Sequence, residues 1–387
     1  MERRKYLQIP GPTNVPNRIL RSLSKPLLNH RGEEFEELVD YCVKGLKKIY
    51  RTENDILIFP SSGSGILEAS IVNLFSKGDT VAVVKLGVFS DRMASIAESH
   101  GLNVIPIEKE WGKAVEENDI RKILKEDNEY EIKAICLPHN ETSTGIKNDI
   151  KGISDMIKEL NHPALIVVDA ISSLASLELE TDEWNLDVVI SSSQKGLMLP
   201  PGLGIVSISK RAWEQVEKST MSKWYWDFKS VKERMKGNQF PYTPATTLLF
   251  GLKESIDMLL EEGLENVWDR HELMASAIRN SVRAMGLKLL SNDEEASNTV
   301  TAIVLPEKIN YPDLSKVLSE DYNIIIGGGL KKLKGKIFRI GHLGALHHVE
   351  VYGIIGAVEM SLYKLGYKVE LGSAAKAVAE TFLDINN

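Results

Sequence analysis

Lys195 occupies an unusual setting for a lysine. It follows the apolar run LDVVI and lies in SSSQKGLMLPPGLG (191–204), among small residues and two prolines. A lysine at the end of a buried strand is desolvated, and desolvation favours the neutral amine. A neutral amine can attack a carbonyl and form a Schiff base. The same position also suits a solvated loop lysine, so position alone leaves both interpretations open.

Two further groups stand at predicted strand ends. Asp169 ends the apolar run LIVV, at the sheet edge where open α/β sheets bind ligands. The segment SSGSGILEA (61–69) follows a predicted strand and opens a predicted helix. Its residues Ser62, Gly63 and Ser64 can present N–H and hydroxyl groups to an anion. Taken singly, Asp169 could equally be a helix cap or a turn residue, and the serine–glycine segment is more typical of an ordinary capped turn.

Taken together, the three groups match the needs of one cofactor. Pyridoxal 5′-phosphate requires an anion cradle for its phosphate, a carboxylate that keeps its ring nitrogen protonated, and a lysine amine for its aldehyde. The serine–glycine segment lacks the third glycine of the dinucleotide fingerprint and the GKS or GKT of a Walker loop. The three groups therefore predict a pyridoxal-phosphate site.

Strand and helix patterns alternate from about residue 55 to residue 210. The alternation predicts an α/β fold with a mostly parallel sheet sandwiched by helices, and runs such as LIVVD indicate strands buried on both faces. Later, long helices precede short strands mixed with helices, which predicts a smaller α+β C-terminal domain. We expect an N-terminal arm over 1–20, extended because it carries three prolines, then a large domain over 21–255 and a small domain over 256–387.

Seven stretches carry a family resemblance that runs along nearly the whole chain. They are PGPTNVP (10–16), SSGSGILEA (61–69), HNETSTG (139–145), VDAISSL (168–174), SSSQKG (191–196), YTPAT (242–246) and FRIGHLG (338–344). In this order they resemble the class V aminotransferases of the alanine–glyoxylate and serine–pyruvate group. The resemblance implies the fold-type I architecture of pyridoxal-phosphate enzymes and a homodimer with active sites shared across its interface.

The resemblance also implies which residues contact the cofactor. They are Ser62, Gly63, Ser64, Phe89, Thr142, Asp169, Gln194, Lys195 and Thr243. Lys195 would form the Schiff base and Asp169 would pair with the ring nitrogen, so these two are the implied catalytic residues. Phe89 would stack on the ring, where the family often has tryptophan. Thr142 would lie near the 3-hydroxyl, and Gln194 near the phosphate.

Three more positions complete the implied site. Thr243 would reach the phosphate of the neighbouring subunit, whereas Phe240 lacks the hydroxyl of a tyrosine that relatives can have there. Arg339 lies between two apolar residues of a predicted strand, which places it either at a sheet edge or in a pocket. The resemblance makes it the clamp for the substrate carboxylate, held by two parallel hydrogen bonds. Gly11 would line the same site, because a glycine lets the arm approach closely.

The implied activity is a ping-pong transamination from a small L-amino acid, alanine or serine favoured, to glyoxylate or pyruvate. Aspartate and ureidoglycine stay open as donors, because relatives with similar motifs differ in substrate. A pyridoxal-phosphate lyase or cysteine desulfurase is disfavoured by Gln194, where desulfurases carry a histidine, and by the early positions of Cys42 and Cys136. A non-catalytic binding protein of this fold would not need Lys195 and Asp169. A dehydrogenase would need the missing glycine pattern.

Charge and cysteine content limit which binding partners and which cellular compartment we expect. The net charge of −7 argues against a nucleic-acid partner, which would require a basic surplus. The two cysteines form no disulfide framework, and the N-terminus shows no apolar signal region, so we expect a cytoplasmic protein. No apolar run is long enough to span a membrane. The histidines His342, His347 and His348 match no strong metal signature, so we expect no metal site.

Overall fold

The secondary structure alternates as the sequence predicts. The computed structural model describes residues 5–384. Over those residues the strands are β1 Tyr6–Gln8, β2 Asp55–Ser61, β3 Thr80–Lys85, β4 Asn103–Glu108, β5 Ile132–Pro138, β6 Asn140–Glu141, β7 Ile146–Lys147, β8 Leu165–Asp169, β9 Val188–Ser192, β10 Gly202–Ile208, β11 Lys288–Leu289, β12 Val300–Val304, β13 Ile324–Gly328 and β14 Ile337–Gly341.

Helices connect most of these strands. The α-helices are α1 Asn17–Leu23, α2 Glu33–Tyr50, α3 Gly63–Leu74, α4 Val88–Ser99, α5 Glu117–Glu126, α6 Ile150–Glu159, α7 Lys210–Lys218, α8 Phe228–Met235, α9 Thr246–Glu262, α10 Leu264–Ala284, α11 Tyr311–Asp321, α12 His348–Lys364 and α13 Ser373–Phe382, with a short 3₁₀ helix at Lys331–Leu333. Within residues 5–384, no helix combines the length and the apolar composition needed to cross a membrane.

The first sheet has seven strands in the order β2-β10-β9-β8-β5-β3-β4. The neighbours from β9 to β4 pair in parallel, whereas β10 runs antiparallel to β2 and β9. Along β8, Ile166 and Val168 pack into one hydrophobic core, and Leu165 and Val167 pack into a second core on the other face. The predicted mostly parallel sheet, buried on both faces, is therefore confirmed.

The second sheet has five strands in the order β1-β13-β14-β12-β11. Its pairs are antiparallel except for β1, which lies parallel to β13. A third core, which includes Phe338 of β14, Ile278 of α10 and Val358 of α12, covers the sheet. This is the α+β arrangement expected for the C-terminal part, and the N-terminal arm contributes its edge strand.

The arm is less extended than the sequence predicts. Helix α1 begins at Asn17, inside the 1–20 segment, with Pro16 at its N-cap at φ −59°. A proline fits the start of a helix because its φ is already near the helical value and its missing N–H is not needed there. The prolines therefore delay the helix rather than exclude it.

The predicted boundary between residues 255 and 256 lies within α9. Buried residues of α9, Leu252 and Ile256 among them, belong to the same core as Val267 at the start of α10. Farther along α10, Met274 and Ile278 pack into the core of the second sheet. The change from one core to the other thus occurs along α10, while the division into domains stays a prediction.

Candidate active site

A cavity of about 300 Å³ opens at the carboxyl ends of β2, β8 and β9. Of the eleven predicted site residues, nine line it, all but Arg339 and Thr243. A larger groove of about 640 Å³ lies at the opposite sheet edge, where β5 and β8 begin. We assign the site to the smaller cavity because it gathers the titratable groups and the helix start, as ligand sites of α/β sheets do.

Lys195 lines this cavity. The residue follows β9 in a tight turn, and Nζ donates a hydrogen bond to the carbonyl of Pro10 in the arm. The arm is held in place because Thr13 N–H donates to the Gln194 carbonyl at 3.2 Å. Burial lowers the pKa of Lys195 to about 8, although Asp169 opposes this shift. About one quarter of the amine is therefore neutral at pH 7.5.

Gly11 is required where the arm passes the lysine. Its φ is +136°, a conformation that side chains rarely adopt. A Cβ built there would lie 2.5 Å from Lys195 Nζ, closer than any non-bonded contact allows. The position predicted to line the site thus does so through its backbone.

Asp169 is a buried carboxylate at the end of β8. It is 6% exposed and accepts a hydrogen bond from the Ile171 N–H at 2.9 Å. Burial raises its pKa to about 7, whereas the positive charges of Lys195 and Arg92 act in the opposite direction. A cation placed against this carboxylate would stabilise its charged form. A protonated ring nitrogen is such a cation.

The start of α3 forms an anion cradle. The Ser62 hydroxyl caps the helix by accepting from Gly65 N–H at 3.2 Å. Free N–H groups and the helix dipole at such an end favour an anion. From α4, Arg92 Nη1 donates to Ser64 Oγ at 2.9 Å, and its guanidinium lies 5.1 Å from the ring centroid of Phe89. A cation and a helix start therefore meet at this end of the cavity.

Gln194 adds a polar atom in need of a partner. Within residues 5–384, its buried Oε1 has no hydrogen-bond partner, and the residue lines the cavity. A buried polar atom without a partner is costly, which favours a bound group that donates to it or an amide turned to present its NH₂. Together with the cradle, the carboxylate and the amine of lowered pKa, this fits pyridoxal phosphate.

Arg339 does not line the cavity but binds Thr142, which does. Its guanidinium donates from Nε to the Gly328 carbonyl and from Nη1 to the Thr142 carbonyl, each at 2.9 Å. The residue is 6% exposed, so it points inward rather than into water. Its backbone lies opposite Ala302 and Gly327, small neighbours that leave room for the guanidinium. Its charge contributes to the lowered pKa of Lys195.

Thr243 and Phe240 lie outside the cavity of their own chain. Thr243 is exposed just before α9, and its predicted contact with a neighbouring subunit stays a prediction. Phe240 is 1% exposed, and its ring centroid lies 6.2 Å from that of Phe35. Phe240 is thus part of the hydrophobic core.

Several residues that line the cavity are not predicted by the sequence. They are Pro12, Leu67, Arg92, Asn140, Ile171, Ser172 and Pro201. Arg92 could have been found, because it follows Phe89 by three residues on one helix and so shares its face. Asn140 and Ser172 lie within the quoted motifs HNETSTG and VDAISSL, but no spacing rule relates them.

The three histidines near the start of α12, His342, His347 and His348, have ordinary side-chain and backbone partners. His342 is buried, with Nε2 at 2.9 Å from the Thr301 hydroxyl and Nδ1 at 3.1 Å from the Asn298 carbonyl. Burial lowers its pKa. His347 and His348 stack edge to face at the start of α12. In the described part of the chain, no group of three histidine, cysteine or acidic residues is arranged to hold a metal ion.

Known proteins resemble this chain over nearly its full length. The family profile described as "Aminotransferase class-V" matches residues 5–343. Serine–glyoxylate aminotransferase of Methylorubrum extorquens is 40% identical, covering 99% of this chain and 97% of that protein. L-Aspartate–glyoxylate aminotransferase of Paracoccus denitrificans is 38% identical, with 97% and 95% covered. The crystal structure of ureidoglycine–glyoxylate aminotransferase from Bacillus subtilis matches with a TM-score of 0.93 at 27% identity, covering 99% of both chains.

Proposed function

This chain belongs to the class V aminotransferase family, and from that premise we propose that it moves an amino group from a small L-amino acid to a small 2-oxo acid. Serine or alanine is the favoured donor, and glyoxylate or pyruvate the favoured acceptor. The observation that carries the proposal is the meeting of Lys195, Asp169 and the start of α3 in one cavity. The names of the relatives described above share glyoxylate and differ in the donor.

We propose that pyridoxal 5′-phosphate is the cofactor held in this cavity. Ser62, Gly63 and Ser64 would bind the phosphate, Asp169 the ring nitrogen, and Phe89 one face of the ring. Gln194 would lie near the phosphate, and Thr142 near the 3-hydroxyl. Bound there, the cofactor supplies an electron-accepting ring that stabilises negative charge at the substrate α-carbon.

The protein's own groups then have separate tasks. Lys195 Nζ would bind the cofactor aldehyde and, once released, accept the α-proton of the donor and return it to the carbon on the other side of the amino nitrogen. Its pKa of about 8 suits both roles. Arg339 would hold the substrate carboxylate and so orient the α-proton toward Nζ. Because residue 11 is a glycine, the arm lies close to that amine and would shield it from water.

The charges in the cavity favour a donor with one carboxylate. Among the residues that line it, the cations are Lys195 and Arg92, and Arg92 is engaged with Ser64 at the anion cradle. Arg339 is needed for the α-carboxylate. A second carboxylate, as in aspartate, would lack a free cation, and burying it unpaired would be costly. Aspartate and ureidoglycine are therefore the alternative donors rather than the leading ones.

A desulfurase reaction is less well supported than transamination. It requires a reactive thiolate, yet Cys42 and Cys136 are both buried and neither lines the cavity. Burial raises the pKa of Cys136 to about 12, which keeps its thiol protonated.

We also propose a cytoplasmic homodimer. Thr243 is exposed and does not line the cavity of its own chain, which supports a contact with a neighbouring subunit. The exposed Trp224, 82% accessible, and Leu27, 71% accessible, are apolar side chains that a subunit contact would bury. The expectation of a cytoplasmic location depends on the absence of a disulfide framework.

One experiment tests the proposed activity. Purified protein is incubated with pyridoxal phosphate, and its visible spectrum is recorded before and after L-serine, L-alanine or L-aspartate is added. We expect a visible band that serine or alanine bleaches and glyoxylate restores, with glycine formed in equal amount. The Lys195→Ala variant should lack the original band. A wild-type protein that stays colourless would refute the proposal, and bleaching by aspartate alone would reverse the order of donors.

A further inference from the structure

Glu141 is a buried acid that the proposed chemistry does not use. It lies in β6 and is 0% exposed. Its Oε2 accepts from Ser90 N–H at 2.9 Å and from Phe89 N–H at 3.1 Å. Its Oε1 accepts from the Ser143 hydroxyl at 2.6 Å and from Ser143 N–H at 3.1 Å. Four donor groups thus satisfy a carboxylate that burial would otherwise penalise.

This carboxylate caps the start of α4 from a distant part of the chain. The Ser143 hydroxyl accepts from Val88 N–H at 2.9 Å, so β6 and its turn bind the first three N–H groups of the helix. The N-cap residue is Gly87, which has no side chain to do this. A Cβ on Gly87 would lie 2.3 Å from Glu141 Cγ and Cδ. The glycine therefore leaves the space that the carboxylate fills.

The same turn touches the other side of the site. The carbonyl of Thr142, the next residue, accepts from Arg339 Nη1 at 2.9 Å. Asn140, the preceding residue, donates from Nδ2 to Ser172 Oγ at 2.8 Å, beyond the end of β8. One short turn thus connects the helix of Phe89, the predicted carboxylate clamp and the loop after the predicted ring-nitrogen partner.

We propose that Glu141 is a positioning residue of the aminotransferase site. It fixes the start of α4, and with it the ring of Phe89, and it holds the Thr142 carbonyl where Arg339 binds. The proposal rests on the function given above, because Phe89 and Arg339 are the predicted contacts of cofactor and substrate.

The charge of Glu141 also acts on the catalytic amine. Burial is the main cause of the lowered pKa of Lys195; the anions Asp169 and Glu141 oppose that shift, and the cations Arg339 and Arg92 add to it. Removing one of the two anions leaves less negative charge to stabilise the protonated form of the buried amine. The Glu141→Gln variant should therefore titrate the lysine nitrogen at lower pH than the wild type.

The test compares two buried glutamates with the same structural role. Glu359 is 5% exposed and caps α13 by accepting from Gly372 N–H and Ala374 N–H, both at 2.8 Å, and from the Ser373 hydroxyl. Glu141→Gln and Glu359→Gln holoenzymes are measured for the dissociation constant of pyridoxal phosphate by equilibrium dialysis. The pH midpoint of the visible band and the unfolding temperature are measured beside it.

We expect both variants to unfold at lower temperature and only Glu141→Gln to affect the site. Its cofactor dissociation constant should rise by about tenfold, the equivalent of one charge-assisted hydrogen bond, and its pH midpoint should fall. Should Glu141→Gln not fold, Ser143→Ala keeps the charge and should raise the dissociation constant by about threefold without moving the midpoint. The inference would be overturned if Glu141→Gln kept the wild-type dissociation constant and the wild-type pH midpoint. A wild-type dissociation constant in Ser143→Ala would also overturn it. So would changes in Glu359→Gln as large as those in Glu141→Gln. Failure of the proposed function would be visible separately, as a wild type without a cofactor band.

Discussion

Replacing Gly11 with alanine would test whether the N-terminal arm sets the position of the Lys195 amine. A Cβ on Gly11 would lie 2.5 Å from Nζ, 2.6 Å from Cε and 2.7 Å from Cδ of that lysine. The lysine must then leave its hydrogen bond with the Pro10 carbonyl. We expect kcat to fall by about 100-fold, because misplacing a reacting group by about 1 Å has an effect of that size.

The protonation of the displaced amine gives a similar magnitude. Lys195 has a pKa of about 8 in its buried position, against an ordinary value of 10.5. At pH 7.5 the neutral fraction is about one quarter for a pKa of 8 and about one thousandth for a pKa of 10.5. Full exposure of the amine would thus reduce the reactive form by about 200-fold, which is the upper limit of this second effect.

A matched glycine separates backbone strain from the clash with the lysine. Gly366 also has a positive φ, +84°, but a Cβ there would meet no atom of residues 5–384 within 4 Å. Both alanine variants should lose about 1–3 kcal/mol of stability in thermal or urea unfolding, because alanine is strained at such angles. Only Gly11→Ala should lose kcat in a serine–glyoxylate assay. Equal kcat values for Gly11→Ala and Gly366→Ala would refute the assigned role of the arm.

Three further predictions concern the charged groups. Asp169→Asn should reduce kcat by at least about 100-fold while the protein still binds pyridoxal phosphate, since a neutral amide cannot stabilise a cationic ring nitrogen; unchanged kcat would contradict the pairing. Arg339→Lys should raise KM for both the amino acid and the oxo acid by about tenfold or more and change kcat less, because lysine cannot form two parallel hydrogen bonds to a carboxylate. Steady-state kinetics with each substrate varied measure this, and unchanged KM values would contradict the assigned role. Saturating pyridoxal phosphate should raise the unfolding temperature more at pH 7.5 than at pH 5.5, and Asp169→Asn should weaken that difference.

The apolar patterns of the sequence predict most of the fold. The alternation expected from about residue 55 begins with β2 at Asp55–Ser61, and the run LIVVD forms β8 as expected. Such runs are informative because a strand buried on both faces must be apolar throughout. The pairing of β1 with β13 could not be predicted in this way. It joins residues more than 300 positions apart, and a three-residue strand has too little pattern to detect.

The sequence predicted residues that line one cavity, but not the residues that hold them in position. Asp169 ends a strand, Lys195 follows one closely and the serine–glycine segment begins a helix, so they meet where the parallel strands end together. Their roles in a site stay predictions. Arg92 shares a helix face with Phe89, but its partner Ser64 belongs to another helix. Glu141 acts through partners far away in sequence, at the start of α4. Its role depends on the packing of α4 against the end of β6, and no local pattern describes that packing.

Without a bound ligand, Asp169 and Lys195 destabilise the folded protein near neutral pH. This sets the direction of the predicted pH effect on the unfolding temperature. The pKa of Asp169 rises from 3.8 to about 7 on folding, so folded protein binds the extra proton and loses stability as pH rises between these values. The pKa of Lys195 falls from 10.5 to about 8, so stability is reduced below about pH 8 and recovers as pH rises toward 10.5. At pH 7.5 both groups therefore oppose folding, by an amount on the order of a few kcal/mol. A ligand that offers Asp169 a cation and consumes the charge on Lys195 relieves both effects together. The burial that destabilises the protein without a ligand is thus the same feature that would favour binding of pyridoxal phosphate and keep the lysine reactive.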